Sequence, residues 1–277
     1  MVARASLVLQ PSSADGLGML ATALREMGEV EEAALVAQEE VLAEMQAAAA
    51  AATPALRWRV EAALAATAAE REAKRSRDTK GSRDTRGRLV IFCRRSYSGQ
   101  DASQPSSMAW GPHAKEHGIG GSESAVISIS RELAAQGWVV EVYASPPDVD
   151  IGLDEYGVLW APYWSYPYLG REARRGAGAR LGGRMAAEEA EVGGAVDVFI
   201  AWRFPEGLAV GAGARQRFLW LHDEVRPELI PQASLEGLHG SHPDGSPRGG
   251  ILVLSEFHRS QVPLTSPRHP LKPDTGS

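Results

Sequence analysis

The sequence predicts an α/β fold, a doubly wound and mostly parallel sheet preceded by an α-helical segment. Three observations carry this expectation. Short apolar runs of strand length recur from Leu89 onward, with helical stretches between several of them, the pattern of a parallel sheet with crossover helices. Up to about residue 73 the chain is instead rich in Ala, Glu and Leu, with Trp58 as its one aromatic. Six of the seven Trp then lie between Trp110 and Trp220, so the aromatic core belongs to the second region. With 277 residues, 44% hydrophobic and 23% charged, the composition is that of an ordinary globular chain with room for a sizeable core. Wholesale disorder and a coiled-coil rod are excluded.

The first region, residues 1–75, reads as helix. Leu17, Leu20, Ala21 and Leu24 share one helical face, and Gly28 supplies a helix stop. A second helix follows through Glu31, Ala33, Ala34, Val36, Ala37, Val41 and Leu42. From Ala14 to about Ala47 this hairpin resembles a single tetratricopeptide repeat, with Leu17, Leu20, Ala21, Leu24, Gly28 and Ala33 at its packing positions. That resemblance implies a protein partner. A plain amphipathic hairpin with no ligand fits equally well, because one repeat cannot bury its own face. Ala47–Ala52 extends helix at low cost, Pro54 interrupts it, and Leu56, Val60, Leu64 and Thr67 mark a further helix toward Ala73. Residues 76–87 hold the duplicated polar hexapeptide Ser76-Arg77-Asp78-Thr79-Lys80-Gly81 and Ser82-Arg83-Asp84-Thr85-Arg86-Gly87. With no apolar residue to bury, it reads as a mobile linker that leaves the helical region separate. Basic residues cluster from Arg71 to Arg88, but no aromatic interleaves for base stacking, so a solvated hinge is preferred to a nucleic-acid patch.

The second region, residues 88–262, alternates strand and helix. Leu89–Cys93 is a short, continuous apolar run, as a buried parallel strand should be. Ser122–Gln136 reads as a helix with Val126, Ile129 and Leu133 on one face and Gly137 as its stop. Further strands are expected at Trp138–Tyr143, Gly157–Ala161, Val196–Ala201, Phe218–His222 and Ile251–Leu254, with a Gly- and Arg-rich loop at Arg171–Arg184. Residues 263–277 form a Pro-rich tail.

Charge and cysteine content bound the function. The net charge of −6 gives no global basic field for nucleic acid. Cys93 is the sole cysteine, so neither an internal disulfide nor a cysteine-based zinc site can form. This favours a reducing compartment and a cytoplasmic location. The basic, acid-free start leaves organellar import as the alternative. No apolar run is long enough to span a bilayer.

Ligands of doubly wound sheets bind beyond the carboxyl ends of the strands, so the chemistry is sought there. Gly118-Ile119-Gly120-Gly121-Ser122-Glu123 leads straight into a helix, where glycines and unpaired N–H groups suit an anion. A plain turn capped by Ser122 or Ser124 is the structural alternative. A dinucleotide fingerprint would need Gly at Glu123 and a shorter distance from the strand, and a phosphate-binding Walker loop would need a Lys. The later strands end in Ala201-Trp202-Arg203, Leu221-His222-Asp223 and Leu254-Ser255-Glu256. A His at such an end can exchange a proton with substrate. Asp148-Val149-Asp150 has a metal-binding look but lies in a Pro-led loop and is read as a turn.

As a set, these segments carry a resemblance. From about Arg88 to Gln261 the chain looks like the N-terminal Rossmann-like domain of a GT-B glycosyltransferase of the family-4 (glycosyl transferase group 1) kind. The pieces are Val90-Ile91-Phe92-Cys93, the glycine loop, Arg131-Glu132-Leu133-Ala134, Val140-Glu141-Val142-Tyr143, Val196–Arg203, Leu219–Asp223 and Val253–His258. The resemblance implies transfer of a sugar from a nucleotide-sugar to a hydroxyl acceptor, with retention and with neither metal nor further cofactor. It implies His222 and Asp223 as catalytic residues, and Gly118, Gly120, Gly121, Ser122, Glu123, Arg203, Ser255 and Glu256 as substrate-binding ones. The second domain of that family, which holds most of the donor, has no counterpart after Ser260. The expectation is therefore a truncated enzyme without turnover of its own. The alternative is a non-catalytic scaffold whose helical hairpin recruits a protein partner.

Overall fold

The computed structural model describes residues 30–78, 86–93, 109–113, 119–166, 196–211, 213–222, 238, 241–242, 245 and 248–253. The first helix of the hairpin, the Arg171–Arg184 loop and the Pro-rich tail lie outside them. Helix α1 spans Val30–Ala51 and α2 Pro54–Asp78. Their joint follows from local chemistry. Pro54 starts α2, where its missing N–H costs nothing, and the Thr53 hydroxyl accepts from the Leu56 N–H at 3.2 Å as an N-cap. The Arg57 guanidinium reaches back to the last carbonyls of α1, those of Ala49 and Ala50, at 2.7 and 3.0 Å.

The sheet comprises β1 (Gly87–Cys93), β2 (Trp138–Ala144), β3 (Gly152–Leu153), β4 (Leu159–Pro162), β5 (Val198–Trp202), β6 (Gln216–Leu221) and β7 (Gly249–Val253). Helix α3 (Gly121–Ala135) joins β1 to β2, and the short α4 (Gly207–Val210) joins β5 to β6. Spatial order is β3-β4-β2-β1-β5-β6-β7. All neighbours pair in parallel except β3 with β4. With β3 set aside, the six parallel strands run third, second, first, fourth, fifth, sixth, the Rossmann-type order whose winding reverses between the first and fourth. The sequence-derived strands and α3 fall within about two residues of these bounds. Gly137, at φ +93°, ends α3 as expected, in a backbone region that L side chains rarely adopt.

Period-two alternation sorts the strand side chains onto two faces. Leu89, Ile91, Cys93, Val140, Val142, Val198, Ile200 and Trp202 meet Val126 and Ile127 of α3. Val90, Phe92, Tyr143, Leu159, Phe199, Leu219 and Leu221 share the other core with Val41 and Met45 of α1, and Ala63 and Leu64 of α2 pack against it. This corrects the expectation of a detached helical region. The apolar stripe of α1 and α2 is the cover of the sheet's second face. It also narrows the linker, since α2 runs through Asp78 and β1 starts at Gly87.

Two polar assemblies lock this frame. Arg88 and Glu141, both buried, pair through Nε to Oε1 at 2.9 Å and Nη2 to Oε2 at 2.7 Å, and the Tyr143 hydroxyl donates to Oε2 at 3.1 Å. Burial works to lower the Arg88 pKa, but the Glu141 carboxylate outweighs it and the net direction is up. At the β3 edge of the sheet, Asp154 clasps the β3–β4 turn. Its Oδ1 accepts from the N–H groups of Tyr156 and Val158, both at 2.9 Å, and its Oδ2 accepts from Trp160 Nε1 at 3.3 Å. Arg131 of α3 stacks on the Tyr156 ring, 4.2 Å from its centroid, and approaches Asp154 Oδ2 at 3.4 Å. The two-residue β3 was too short to leave a signal in the sequence. Among the described residues, no helix is long and apolar enough to cross a membrane.

Candidate functional site

The strand order places one crevice by topology alone. β1 and β5 are neighbours whose onward connections leave in opposite directions, and α3 begins above their carboxyl ends. The residues gathered there are Cys93, Trp202, Arg203, Gly120, Gly121, Ser122 and Glu123. His222 follows β6 on the same rim.

Glu123 is the hub. Its Oε1 lies 3.8 Å from Arg203 Nη1, and the Ser122 hydroxyl donates to its Oε2 at 3.1 Å. Gly120 is the N-cap of α3, and no side chain caps the helix. The structural alternative of a turn capped by Ser122 or Ser124 is not what forms, and the Ser122 hydroxyl turns to Glu123 instead. The Glu123 carboxylate lies where a Cβ on Gly120 would sit, whereas a Cβ on Gly121 would meet open space. This changes the reading of the glycine loop. A carboxylate in the first turn already complements the positive end of the helix, so the loop is not an open phosphate cradle. Burial, and then Glu123, push the Cys93 thiol well above its usual range, so it remains a neutral core residue.

Arg203 stands in the left-handed region at φ +69°, with its N–H donating to the Trp220 carbonyl at 2.8 Å. Such backbone in a non-glycine residue costs on the order of 1 kcal/mol and is held by its surroundings. Here it lifts the guanidinium off the strand axis, over the Trp202 ring and toward Glu123. His222 is buried, its ring 4.4 Å from Trp220 and 5.8 Å from Trp202 between centroids. Trp110 completes an aromatic floor against Trp202 and Trp160, at 5.6 and 5.9 Å. The buried Nε1 atoms of Trp110 and Trp202 have no hydrogen-bond partner among the described residues.

Two features escaped the sequence reading. His113, in the loop between β1 and α3, pairs through Nδ1 with Asp150 Oδ1. Asp148–Asp150 is a single 3-10 turn, as its Pro-led setting suggested, but the buried partner inside it was not foreseen. A Trp-Gly-Pro-His run in a polar loop was the available signal, since Trp110 anchors that loop. The second feature is a cleft of about 470 Å³ on the other face, between α1–α2 and the ends of β2 and β4, bordered by Ala48, Leu56, Pro146, Ile151 and Trp164. Gly118, Asp223, Ser255 and Glu256 lie outside the described residues. Among the described residues no three His, Cys, Asp or Glu side chains cluster at metal-binding spacing. No family model matches the chain, and neither the curated proteins nor the solved structures contain a significant match.

Proposed function

We propose that this chain forms one wall of a glycosyltransferase cleft, in which a sugar passes from a nucleotide-sugar to a hydroxyl acceptor. The observation that carries this reading is the Glu123–Arg203 pair at the switch point of the sheet. Its 3.8 Å separation exceeds a hydrogen bond, and one hydroxyl group bridges such a gap by donating to the carboxylate and accepting from the guanidinium. Open space above Gly121 suits the edge of a sugar ring. With Glu123 on the helix terminus, this wall favours hydroxyl-bearing groups, and the diphosphate falls to the opposing wall. His222, pressed between two indoles, borders the transferred sugar and shapes the site. Asp223, Ser255 and Glu256 keep the roles that the family resemblance gives them.

The scaffold alternative has less support, because the buried positions of α1 and α2 face the sheet and are not offered to a partner. The test is isothermal titration of nucleotide-sugars and of free sugars against the chain and against Glu123→Gln and Arg203→Ala. Binding of a sugar-bearing ligand that weakens at least about tenfold in both variants is expected. Absence of binding by every member of both panels would remove the reading.

A further inference from the structure

The cleft beyond β2 and β4 has no part in the reading above, and strand pairing fixes its position. Ala144 of β2 lies opposite Pro162 of β4 in parallel register, so the two strands end level and release Ser145–Pro146 and Tyr163–Trp164 side by side. Ligands of such sheets lodge beyond the carboxyl ends of the strands, and a volume of about 470 Å³ is within the usual range of a small-molecule site. The walls are tied to both helices. The Tyr163 hydroxyl bonds to Glu44 Oε1 of α1 at 3.1 Å, and the Arg59 guanidinium of α2 donates to the Asp148 carbonyl at 2.7 Å. The Trp110 N–H on the Ser145 carbonyl, at 3.0 Å, fixes the neighbouring Ala109 in the lining. The recess is thus in place before anything enters it, which lowers the cost of binding.

The lining selects by chemistry. Leu56, Pro146 and Ile151 supply aliphatic surface, and the half-buried Trp164 adds an indole. Ser145 and Asp148 are the polar side chains beside the Tyr163 hydroxyl. An anion is disfavoured, because it meets the Asp148 carboxylate while no Lys, Arg or His lines the recess among the described residues. An ammonium ligand meets the Arg59 guanidinium, which already lies against Asp148. A wholly apolar molecule strips water from Ser145 and Asp148 and returns no hydrogen bond. What remains is a neutral molecule with one apolar face and hydroxyls along its edge. A pyranose has both, in its ring C–H groups and its equatorial hydroxyls. We infer that this cleft is a carbohydrate site separate from the Glu123–Arg203 pair. The sugar lays its C–H face on Trp164, donates a hydroxyl to the Asp148 carboxylate, and exchanges a further hydrogen bond with Ser145. The site holds an intact sugar and involves no transfer step, so it stands apart from the function proposed above.

Titration of the full chain with D-glucose, D-galactose, D-mannose and N-acetyl-D-glucosamine, followed by nitrogen-15 NMR, tests this. The Trp164 indole N–H resonance, assigned by its loss in Trp164→Phe, is expected to move with at least one of these sugars. Affinity for that sugar should fall at least about fivefold in Trp164→Ala and about tenfold in Asp148→Ala. Ala109→Leu, at an exposed position, fills the recess without removing a contact and should abolish binding, so the outcome does not depend on Trp164→Ala folding. Indole and choline serve as apolar and cationic probes. Tighter binding of either than of every sugar would overturn the carbohydrate class. No binding by any of the four sugars, sugar binding that leaves the Trp164 resonance in place, or full affinity in Ala109→Leu would overturn the site. None of these results bears on the nucleotide-sugar titration of the Glu123→Gln and Arg203→Ala variants, so the two readings fail separately.

Discussion

The Arg88–Glu141 pair and the Glu123–Arg203 pair are built in opposite ways. The first joins two neighbouring strands, is bidentate, takes a third bond from Tyr143, and leaves the Arg88 and Glu141 side chains 9% and 1% exposed. The second joins a helix terminus to a strand end at 3.8 Å, with its side chains 12% and 25% exposed for Glu123 and Arg203. A closed pair fixes how strands sit and has little capacity left for a ligand. A more exposed, more distant pair contributes less to stability. The same two residue types thus serve as a strut between central strands and as a partly exposed pair at the rim.

The largest expected effect comes from breaking the strut. Glu141→Gln leaves the Arg88 charge buried without its counter-ion and should cost about 3–5 kcal/mol in urea unfolding. A loss below about 1 kcal/mol would dissolve the contrast. Next is the helical cover. Met45→Ala should destabilise the whole chain by about 2–5 kcal/mol in one cooperative transition. A separate early transition for α1 and α2 would show them to be independent of the sheet.

Alkaline pH probes both regions with one scan. Burial, and then Glu141, raise Tyr143 well above its usual range, as burial and Glu123 raise Cys93. The folded chain therefore keeps protons that the unfolded chain has released. Stability is unaffected by these groups at neutral pH. It falls from about pH 9 for Cys93 and about pH 10 for Tyr143, by about 1.4 kcal/mol per unit and group. Cys93→Ala should delay the earlier fall and Tyr143→Phe the later one, as read by thermal unfolding against pH.

The smallest expected effects are at the rim. Arg203→Ala should change stability by less than about 1 kcal/mol, and Arg203→Gly should be the more stable of the two by about 1 kcal/mol, because glycine accepts positive φ. Both should lose sugar binding in titration. A large destabilisation by Arg203→Ala would make this pair a second strut.

Much of the sheet was legible because parallel strands buried on both faces read as continuous apolar runs, Leu89–Cys93 being the clearest. Alternation within those runs, such as Val90 against Ile91, could not say which layer each would meet. The packing of α1 and α2 was hidden for that reason. Val41, Met45 and Val60 announce an apolar stripe but not its partner. At the rim, strand ends located Arg203 and His222, while the Glu123–Arg203 approach depends on one left-handed residue that no pattern announces. The His113–Asp150 pair brings together residues 37 positions apart from two loops, a distance over which periodicity carries no information.

The β3–β4 clasp has a consequence for how molecules of this chain meet. A sheet edge with a long open ladder is a template on which further strands can grow. Here growth on the β4 side is stopped at source. Among the described residues the outermost strand is two residues long, begins at Gly152 with φ +136°, and turns at once into the bonds of Asp154. An incoming strand finds no register to copy, while Arg131 on Tyr156 sets a cation beside that edge. Asp154 thereby acts as a terminator of the sheet, and its loss would be felt first as self-association at concentration, ahead of any loss of fold.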